Sequence, residues 1–539
     1  MLIAPLPEVA VARQPTRAER AAVRLLQIGC TAAVLVAATY REFDLDRFFV
    51  PKELVLHVTA AAIGLLLVGS VRSLAVTRVD LFLLGFLVVS AVSTALATNP
   101  WAALRALGIS VSGVLVFWCA RALREAGLAR RVLFGAALAA VITAIACLLQ
   151  AYGVRSDFFS LNRSPGGTLG NRNFVAHLVS FSLPVLLLTT LRAWRNLGFV
   201  IGASGTAIAL WALILTRSRA AWLGMAVALL VLAVGALLSR PVRRDRRYLL
   251  RTALLMVFAL GGVAGAVSLP NALKWRSESP YLETARGVVN YRDGSGRGRL
   301  LQYRSSLKLL GDYPVLGAGP GNWQVHYAEH AEANDPSLDR TEAGLTANPW
   351  PSSDWVAYVS ERGLLGFGLL VLGGVGLVVA AWRRLRTARD SEEGLAAIAC
   401  VAVVAATVTT GMFDAVLLLG WPTLLVWATL GALWSPETAR GVSAPAALKM
   451  IVVLLLALGA SAAAVRSLGS LSAMTIFVGD PSPERLEMAA KLDPGNYRVR
   501  IAAARNHRRG SEGRCRHAGA ALRYFPNSAS ARSLARSCD

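Results

Sequence analysis

The chain is divided into apolar blocks that are long enough to cross a membrane. In its 539 residues such blocks fall near 21–40, 53–71, 79–97, 102–120, 131–152, 173–191, 197–215, 220–239, 249–268, 363–381, 394–413, 416–434 and 449–469. A hydrocarbon core of about 30 Å needs about 20 apolar residues in helical form. Only 16% of the residues are charged, against about 25% in soluble domains. The sequence therefore predicts an all-α polytopic membrane protein with about 13 transmembrane helices.

Arginine placement predicts which way the chain crosses the membrane. If the N-terminus is cytoplasmic, the even-numbered connections are cytoplasmic too, and these carry Arg121, Arg124, Arg130 and Arg131, then Arg192 and Arg195, then Arg240, Arg243, Arg244, Arg246 and Arg247, and finally Arg383, Arg384, Arg386 and Arg389. This bias is typical of cytoplasmic loops. We therefore attribute most of the net charge of +24 to membrane orientation and expect no nucleic-acid partner.

The same alternation predicts five regions. Residues 1–20 form a cytoplasmic N-terminus, 21–268 carry helices 1–9, 269–362 form a large extracytoplasmic loop with the catalytic motifs, 363–469 carry helices 10–13, and 470–539 form an extracytoplasmic tail. In the tail, LDPGN (492–496) and YFPNS (524–528) place their prolines 32 residues apart, close to the tetratricopeptide period of about 34. We predict a short helical appendage of tetratricopeptide type, in which Cys515 and Cys538 either pair or stay as free thiols.

Two outer-face motifs at helix ends are rich in arginine and asparagine. GGTLGNRNFVAHL (166–178) enters the sixth helix, where Asn171 and Asn173 either cap the helix or help it to bind an anion. TRSRAAW (216–222) joins helices 7 and 8, and its Arg217 and Arg219 depart from the orientation bias. Two such arginines indicate a bound anion, although long arginine side chains can also reach a membrane surface.

Two further motifs lie in and after the long loop. GSGRGRLLQYRSSLKLL (294–310) predicts an amphipathic helix with an apolar side of leucines and with Arg297, Arg304 and Lys308 close together. These cations fit lipid headgroups or a diphosphate. In NPWPSSDWVAYVSERGLLGFG (348–368), Asp354 and Glu361 share a helix face, and Glu361 next to an apolar span needs a partner.

The glycine-rich stretch GDYPVLGAGPGNW (311–323) invites comparison with phosphate-binding loops. It matches neither GxxxxGK[ST] nor GxGxxG, and the predicted topology places it outside the cytoplasm. We therefore predict a turn that folds the outer loop, and no nucleotide site.

Taken together, TLGNRN, TRSRAAW, the RLLQYRSSLKLLGDYPVLGAGPGNW loop and DWVAYVSERGLLG resemble the O-antigen ligase and polymerase superfamily, over roughly residues 20–435. The resemblance implies a helical C-type glycosyltransferase in the bacterial inner membrane, with its active face periplasmic. It implies a donor glycan on undecaprenyl diphosphate and a glycan or lipid A–core acceptor, with no metal or other cofactor. By motif, Arg219 and Arg299 bind the diphosphate, Arg217 and Arg304 are close seconds, and the glycine-rich turn covers this site.

One departure bears on the reaction. Members of this superfamily that act as ligases usually carry a His-Asn pair where this chain has Ser352 and Ser353, and a serine hydroxyl does not act as a base near neutral pH. His326, His330, Asp354 or Glu361 remain as candidate bases. We therefore favour a polymerase of O-antigen or exopolysaccharide, with a ligase as the alternative and a polysaccharide transporter or assembly partner as a further one. Flippase and chain-length proteins are the expected protein partners.

The resulting site prediction has two parts. The catalytic residues are Arg219, Arg299, Glu361 and Asp354, and the substrate-binding residues are Arg217, Arg297, Arg304, Lys308, Asn171, Asn173 and His326.

Overall fold

The computed structural model of this protein is almost entirely helical. It describes residues 14–40, 46–160, 163–275, 277–289, 294–435, 441–442, 444–479 and 481–538. The first helices are α1 Arg17–Leu35, α2 Asp46–Val71, α3 Arg78–Ala95, α4 Pro100–Glu125, α5 Ala129–Ala151, α6 Arg172–Leu191, α7 Asn196–Thr216, α8 Arg219–Leu238, α9 Arg240–Arg244, α10 Arg246–Ser268 and α11 Pro280–Arg286. They are followed by α12 Gly294–Asp312, α13 Trp323–His330, α14 Asp354–Thr387, α15 Ser391–Gly411, α16 Gly420–Leu433, α17 Ala446–Gly479, α18 Pro483–Leu492, α19 Tyr497–Asn506, α20 Glu512–Tyr524 and α21 Ala529–Arg536.

Eleven helices in the described ranges are long and apolar enough to cross a membrane, namely α2 to α8, α10, α14, α15 and α17. The predicted fold class is therefore confirmed, and 11 of the about 13 predicted spans meet these criteria of length and hydropathy. The two remaining blocks are also helical. However, α1 carries Arg17, Glu19, Arg20 and Arg24 in its first half, and α16 has only 14 residues.

The connections rich in arginine meet at one end of the helical bundle, which we call the arginine-rich end. Glu392, at the start of α15, accepts hydrogen bonds from Arg130 at 2.6 Å and from Arg192 at 2.9 Å. Two short strands, β1 Val76–Thr77 and β2 Gly441–Val442, pair antiparallel at this same end and join the α2–α3 and α16–α17 connections. The α4–α5, α6–α7 and α14–α15 connections are therefore joined through Glu392, and the α2–α3 and α16–α17 connections through the two strands.

Helix α14 begins earlier than the predicted span at 363 and is broken there. It starts at Asp354, and Gly363 interrupts it with φ 66° and ψ −178°. The last long helix, α17, continues to Gly479 rather than 469, because small and apolar residues follow the predicted end. Both extensions lie at the end opposite the arginine-rich end, where the long loop and the tail pack.

The glycine-rich stretch 311–323 lies against this break. The amides of Ala318 and Gly319 donate to the carbonyls of Ser360 and Glu361, at 2.9 and 3.0 Å. The amide of Leu364 in turn donates to Pro314 at 2.9 Å. A broken helix near a membrane needs such partners because its free backbone groups are costly to bury. The stretch is thus a backbone clamp on α14. None of its residues lines the cavity described below, and the expectation that it covers a diphosphate site stays a prediction.

The C-terminal tail is helical, as predicted, and consists of α18 to α21, each packed on the next. Cys515 and Cys538 form a disulfide with a Cα–Cα distance of 5.6 Å. The tail is seated on the bundle by Val499, Ala489 and Ala490, which pack with Val50 and Met474. It also contacts the long loop, where Phe525 packs with Val325 and Leu345.

Candidate functional site

A cavity of about 670 Å³ opens at the end of the bundle opposite the arginine-rich end. Its wall comes from the starts of α6 and α8, from α12, and from the loops before and after them. Six cationic side chains line it, namely Arg163, Arg172, Arg217, Arg219, Lys274 and Arg299. Asp414 is the single carboxylate residue among the described residues that line it. We call it the cationic cavity.

The turn between α7 and α8 presents two of these arginines. Arg217 ends α7 in the left-handed conformation, with φ 54°, which is costly for a residue with a side chain. Its guanidinium is fixed by Thr284 at 2.8 Å and Glu283 at 3.1 Å, and it lies 4.7 Å from the centre of the Trp275 ring. Arg219 begins α8 and donates to the carbonyl of Gly287. Both side chains are thus held at the cavity by the segment that follows α10.

Helix α12 brings Arg299 to the same cavity. Its neighbour Gln302 donates to Ser337 at 3.0 Å and accepts from the amide of Ser352 at 2.6 Å. Tyr303 donates to the carbonyl of Ser352 at 3.0 Å. These bonds fix the helix in the loop, while the Arg299 guanidinium has no hydrogen bond to any other described residue. Its donors are therefore available to an anion.

The start of α6 forms the opposite wall. Asn171 caps this helix by accepting from the amide of Asn173 at 3.0 Å, as the motif predicts. Arg172 lies 5.2 Å from the centre of the Trp275 ring, on which Arg217 also packs. The first amides of α6 are already paired, since those of Arg172 and Phe174 donate to the carbonyls of Arg163 and Asn171. The positive end of the helix dipole and the nearby arginines still favour an anionic ligand.

Asp414 enters the cavity from the short connection between α15 and α16. Its carboxylate accepts from the Ala415 amide at 2.9 Å and lies 3.5 Å from the Asn173 side-chain nitrogen. The connection is held by Asp354, whose buried carboxylate accepts from the amides of Val416 at 2.9 Å and Leu417 at 2.8 Å. Asp354 thus positions the segment that carries Asp414, and it does not itself line the cavity.

Of the predicted site residues, five meet at the cationic cavity, namely Asn171, Asn173, Arg217, Arg219 and Arg299. The predicted substrate-binding residues Arg297, Arg304 and Lys308 have exposed side chains and do not line it. His326 is buried elsewhere, with its Nε2 2.9 Å from the Thr98 hydroxyl. Glu361 lines a different cavity of about 400 Å³, beyond the Trp350 ring. The structure therefore does not bring the two predicted carboxylates to the arginines.

The two serines at the usual His-Asn positions have separate places. Ser352 lines the cationic cavity, whereas Ser353 caps α14 by accepting from the Val356 amide and donates to the Gly411 carbonyl at 3.1 Å. Neither His326 nor His330 lines the cavity beside them.

Sequence reasoning missed four charged members of the site, namely Arg163, Arg172, Lys274 and Asp414. Asp414 carried a usable signal, because an ionisable residue between two apolar blocks is expensive and usually functional. Lys274 had none, since it lies in the long loop outside every motif.

The potential metal ligands that the described residues bring together lie in the tail, far along the chain from this site. Oxygen and nitrogen atoms of Glu487, His507 and His517 come within 4.8 Å of one another. The same Glu487 oxygen accepts from Arg516 at 2.6 Å, and Arg500 lies 3.2 Å from the other ring nitrogen of His517. We interpret the group as a hydrogen-bonded charge cluster, because a metal ion would have to displace these arginines.

The arrangement at the cationic cavity suits a polyanion with an attached polar group. Several guanidinium groups bind phosphate oxygens by paired, charge-assisted hydrogen bonds. The lone carboxylate can accept a proton beside them, and the amide side chains of Asn173 and Gln302 offer further donors.

Comparison with known proteins gives a family match for part of the chain. Residues 204–371 match a family described as O-antigen ligase. The matched segment contains Arg217, Arg219 and Arg299, whereas Asn171 and Asp414 lie outside it. A search of curated proteins gives no match.

Proposed function

Because residues 204–371 match a family described as O-antigen ligase, a family of cell-surface polysaccharide assembly, we propose that this protein transfers a glycan from a polyprenyl diphosphate held in the cationic cavity. The observation that carries the proposal is the charge of this cavity, with six cations and one carboxylate. A diphosphate is the part of such a donor that needs this charge. The cavity would then face the extracytoplasmic side, opposite the arginine-rich end.

The reaction that this geometry supports is a single displacement. An acceptor hydroxyl oxygen attacks the anomeric carbon, and the bond from that carbon to the diphosphate oxygen breaks, with its electron pair leaving on the diphosphate. Arg219 and Arg299 stabilise the negative charge that develops there, an electrostatic contribution that is often the largest in an enzyme. The configuration at the anomeric carbon is inverted.

We propose that Asp414 accepts the proton of the acceptor hydroxyl. It is the carboxylate that faces the arginines, and Ser352 offers no base at the position where an imidazole usually lies. A carboxylate that accepts a proton late in the displacement is an ordinary general base. Asp354 supports it by fixing the α15–α16 connection.

We favour the polymerase form of this reaction, in which the acceptor is another carrier-linked glycan. The absence of the His-Asn pair at 352–353 supports it, because ligases of the superfamily that the chain resembles usually carry that pair. The alternative is a ligase that uses Asp414 in place of the imidazole.

Analysis of a deletion strain tests both forms. Surface polysaccharide and carrier-linked glycan are extracted separately, and each pool is sized on a gel. If the protein is a polymerase, its deletion leaves single repeat units on the final acceptor and no polymer in either pool. If it is a ligase, its deletion leaves long polymer on the carrier and an acceptor without glycan. No change in either pool would refute the proposed function.

Complementation of the deletion strain with an Arg219→Ala variant should fail. Loss of one hydrogen-bond donor to the developing charge costs on the order of 10²–10³ in rate.

A further inference from the structure

The C-terminal helices form one wall of a second cavity. It has a volume of about 400 Å³ and lies between α2, α4, α14, α17 and the loop that joins α18 to α19. We call it the tail cavity. Trp350 lines both the tail cavity and the cationic cavity, and its ring packs on Phe49 at a centroid distance of 5.1 Å. A single aromatic cluster thus separates the two cavities.

The tail cavity differs from its neighbour in charge. Its wall carries the four arginines Arg105, Arg362, Arg466 and Arg498. It also carries the four carboxylates of Asp46, Glu53, Glu361 and Asp493. Some of these are closely paired, since Arg105 binds Glu53 through two nitrogens at 2.9 and 2.7 Å. A cavity with balanced, paired charges does not select an anion, but it offers many donors and acceptors to a neutral polar ligand.

Aromatic rings supply the apolar part of the wall. Trp101, Trp350, Tyr358, Tyr497 and Phe525 all line it. The indole of Trp101 donates to Asp493, and the Arg466 guanidinium lies 4.9 Å from its ring centre. Tyr497 and Phe525 pack at 4.6 Å between ring centroids. Flat apolar rings beside hydrogen-bonding groups suit a ligand with both C–H faces and hydroxyl groups.

We propose that the tail cavity binds uncharged sugar residues of the acceptor glycan, and that the C-terminal tail takes part in acceptor recognition. The inference rests on the proposed glycosyl transfer. A sugar chain combines the C–H faces and hydroxyl groups that this wall can contact. Because Trp350 borders both cavities, a chain held in the tail cavity lies one aromatic side chain away from the diphosphate-linked sugar.

The tail is built into this cavity rather than resting beside it. Asp493, Asn496 and Arg498 enter from the α18–α19 connection. At Gly495, any side chain would meet the Trp101 ring at 2.6 Å. Binding of a sugar here therefore depends on residues outside the matched family segment.

Calorimetric titration of the purified full-length protein tests the inference. The probe is a short uncharged oligosaccharide fraction released by mild acid from the surface polysaccharide of the native cells. Gln324→Ala and Arg498→Ala each remove one lining side chain that is only partly buried or exposed. Each should raise the Kd about tenfold, the effect of one lost hydrogen bond. Arg508→Ala, an exposed arginine of the same tail, is the matched control and should leave the Kd unchanged.

Failure to bind the oligosaccharide, or equal binding by wild type and both variants, overturns the inference. Binding of anionic vesicles or phosphate in place of the sugar does so as well. The same preparations are titrated with undecaprenyl diphosphate, which reports on the cationic cavity. If the wild-type protein binds the oligosaccharide but not undecaprenyl diphosphate, the result contradicts the proposed function and still supports the sugar site.

Discussion

Asp414 shows how a single residue acquires a role from its surroundings. Its neighbours in sequence are apolar, yet Asp354 draws the connection between α15 and α16 inward by accepting its amides. The carboxylate of Asp414 therefore reaches the cavity that holds Arg219 and Arg299. One acid positions the segment, and the other faces the cavity.

This division of roles predicts the effect of Asp414→Asn. The amide keeps the shape of the side chain but cannot accept the proton of the acceptor hydroxyl. We expect kcat to fall by about 10²–10⁴, with KM for the donor little changed because the arginines remain. A transfer assay with purified protein and lipid-linked donor measures both. Glu332→Gln, an exposed carboxylate of the long loop, is the control. An Asp414→Asn enzyme with wild-type kcat would remove Asp414 from the reaction.

At the residue scale, the sequence predicted the parts of the site that lie in local motifs. Arg217, Arg219, Arg299 and Asn171 could be found because each stands in a short arginine-rich or capping pattern. Lys274 stands in no motif, and Asp414 carried only the signal of an ionisable residue between two apolar blocks. The contacts that bring both to the cavity join segments far apart in the chain.

At the scale of elements, the break in α14 and the glycine-rich stretch depend on each other. Gly317 has φ 73°, and a side chain there would overlap the backbone of Glu361. Gly363 has φ 66° and lies against the carbonyl of Val315. The glycines allow the two backbones to come into contact. This contact explains why the stretch 311–323 is rich in glycine like a phosphate-binding loop, although it packs on the break in α14.

The clamp predicts that Gly317→Ala destabilises the protein. The left-handed conformation alone costs about 1–2 kcal/mol for a residue with a side chain, and the overlap with α14 adds to this cost. Thermal unfolding of the purified protein, followed by circular dichroism, should show a lower Tm. Gly311→Ala, in the same stretch with nothing within 4 Å of the added carbon, should not lower Tm, because Gly311 lies in α12 and alanine favours a helix over glycine. Equal Tm values for the two variants would contradict the clamp.

Helix α12 shows where periodicity alone was insufficient. Its existence and bounds follow from the sequence, but Leu309 is the one leucine of the predicted apolar side that is fully buried. Leu300 and Leu307 are 52% and 60% exposed. Gln302, Ser305 and Ser306 are also buried, and Gln302 and Ser306 bond to Ser337 and Trp323 of the loop. Near a membrane, exposed leucines can face lipid, so an apolar stripe does not identify the protein core.

At the scale of the whole molecule, the C-terminal tail is a group of four short helices that packs on the membrane-spanning bundle and on the long loop. The sequence predicted its helices from proline spacing and alanine content. It could not predict the docking, which depends on contacts such as Trp101 with Asp493 and Asn527 with the Val325 carbonyl at 3.0 Å. Each of these hydrogen bonds joins a tail residue to a residue about 200 or more positions earlier in the chain.

A charge cluster within the tail predicts that its stability depends on pH. Burial raises the pKa of Glu487, but the hydrogen bond and charge of His517 and the charge of Arg516 outweigh it and lower the pKa to about 2. A carboxyl whose pKa is lowered on folding stabilises the fold at higher pH and loses this contribution as it is protonated. We expect hydrogen exchange in α18–α20 to accelerate between about pH 5 and about pH 2, after correction for the intrinsic rate. In Glu487→Gln this acceleration should be absent, and its persistence would assign the pH dependence to other groups.

The central claim is that the cationic cavity holds a lipid diphosphate, and binding of undecaprenyl diphosphate to the purified protein tests it most directly. The Kd is compared among wild type, Arg299→Ala and Arg304→Ala. These two arginines lie on the same helix, but only Arg299 lines the cavity. We predict that Arg299→Ala raises the Kd by about 10- to 100-fold, the effect of one lost charge-assisted hydrogen bond, and that Arg304→Ala leaves it unchanged. Equal Kd values for wild type and Arg299→Ala would contradict the assignment of the diphosphate to this cavity.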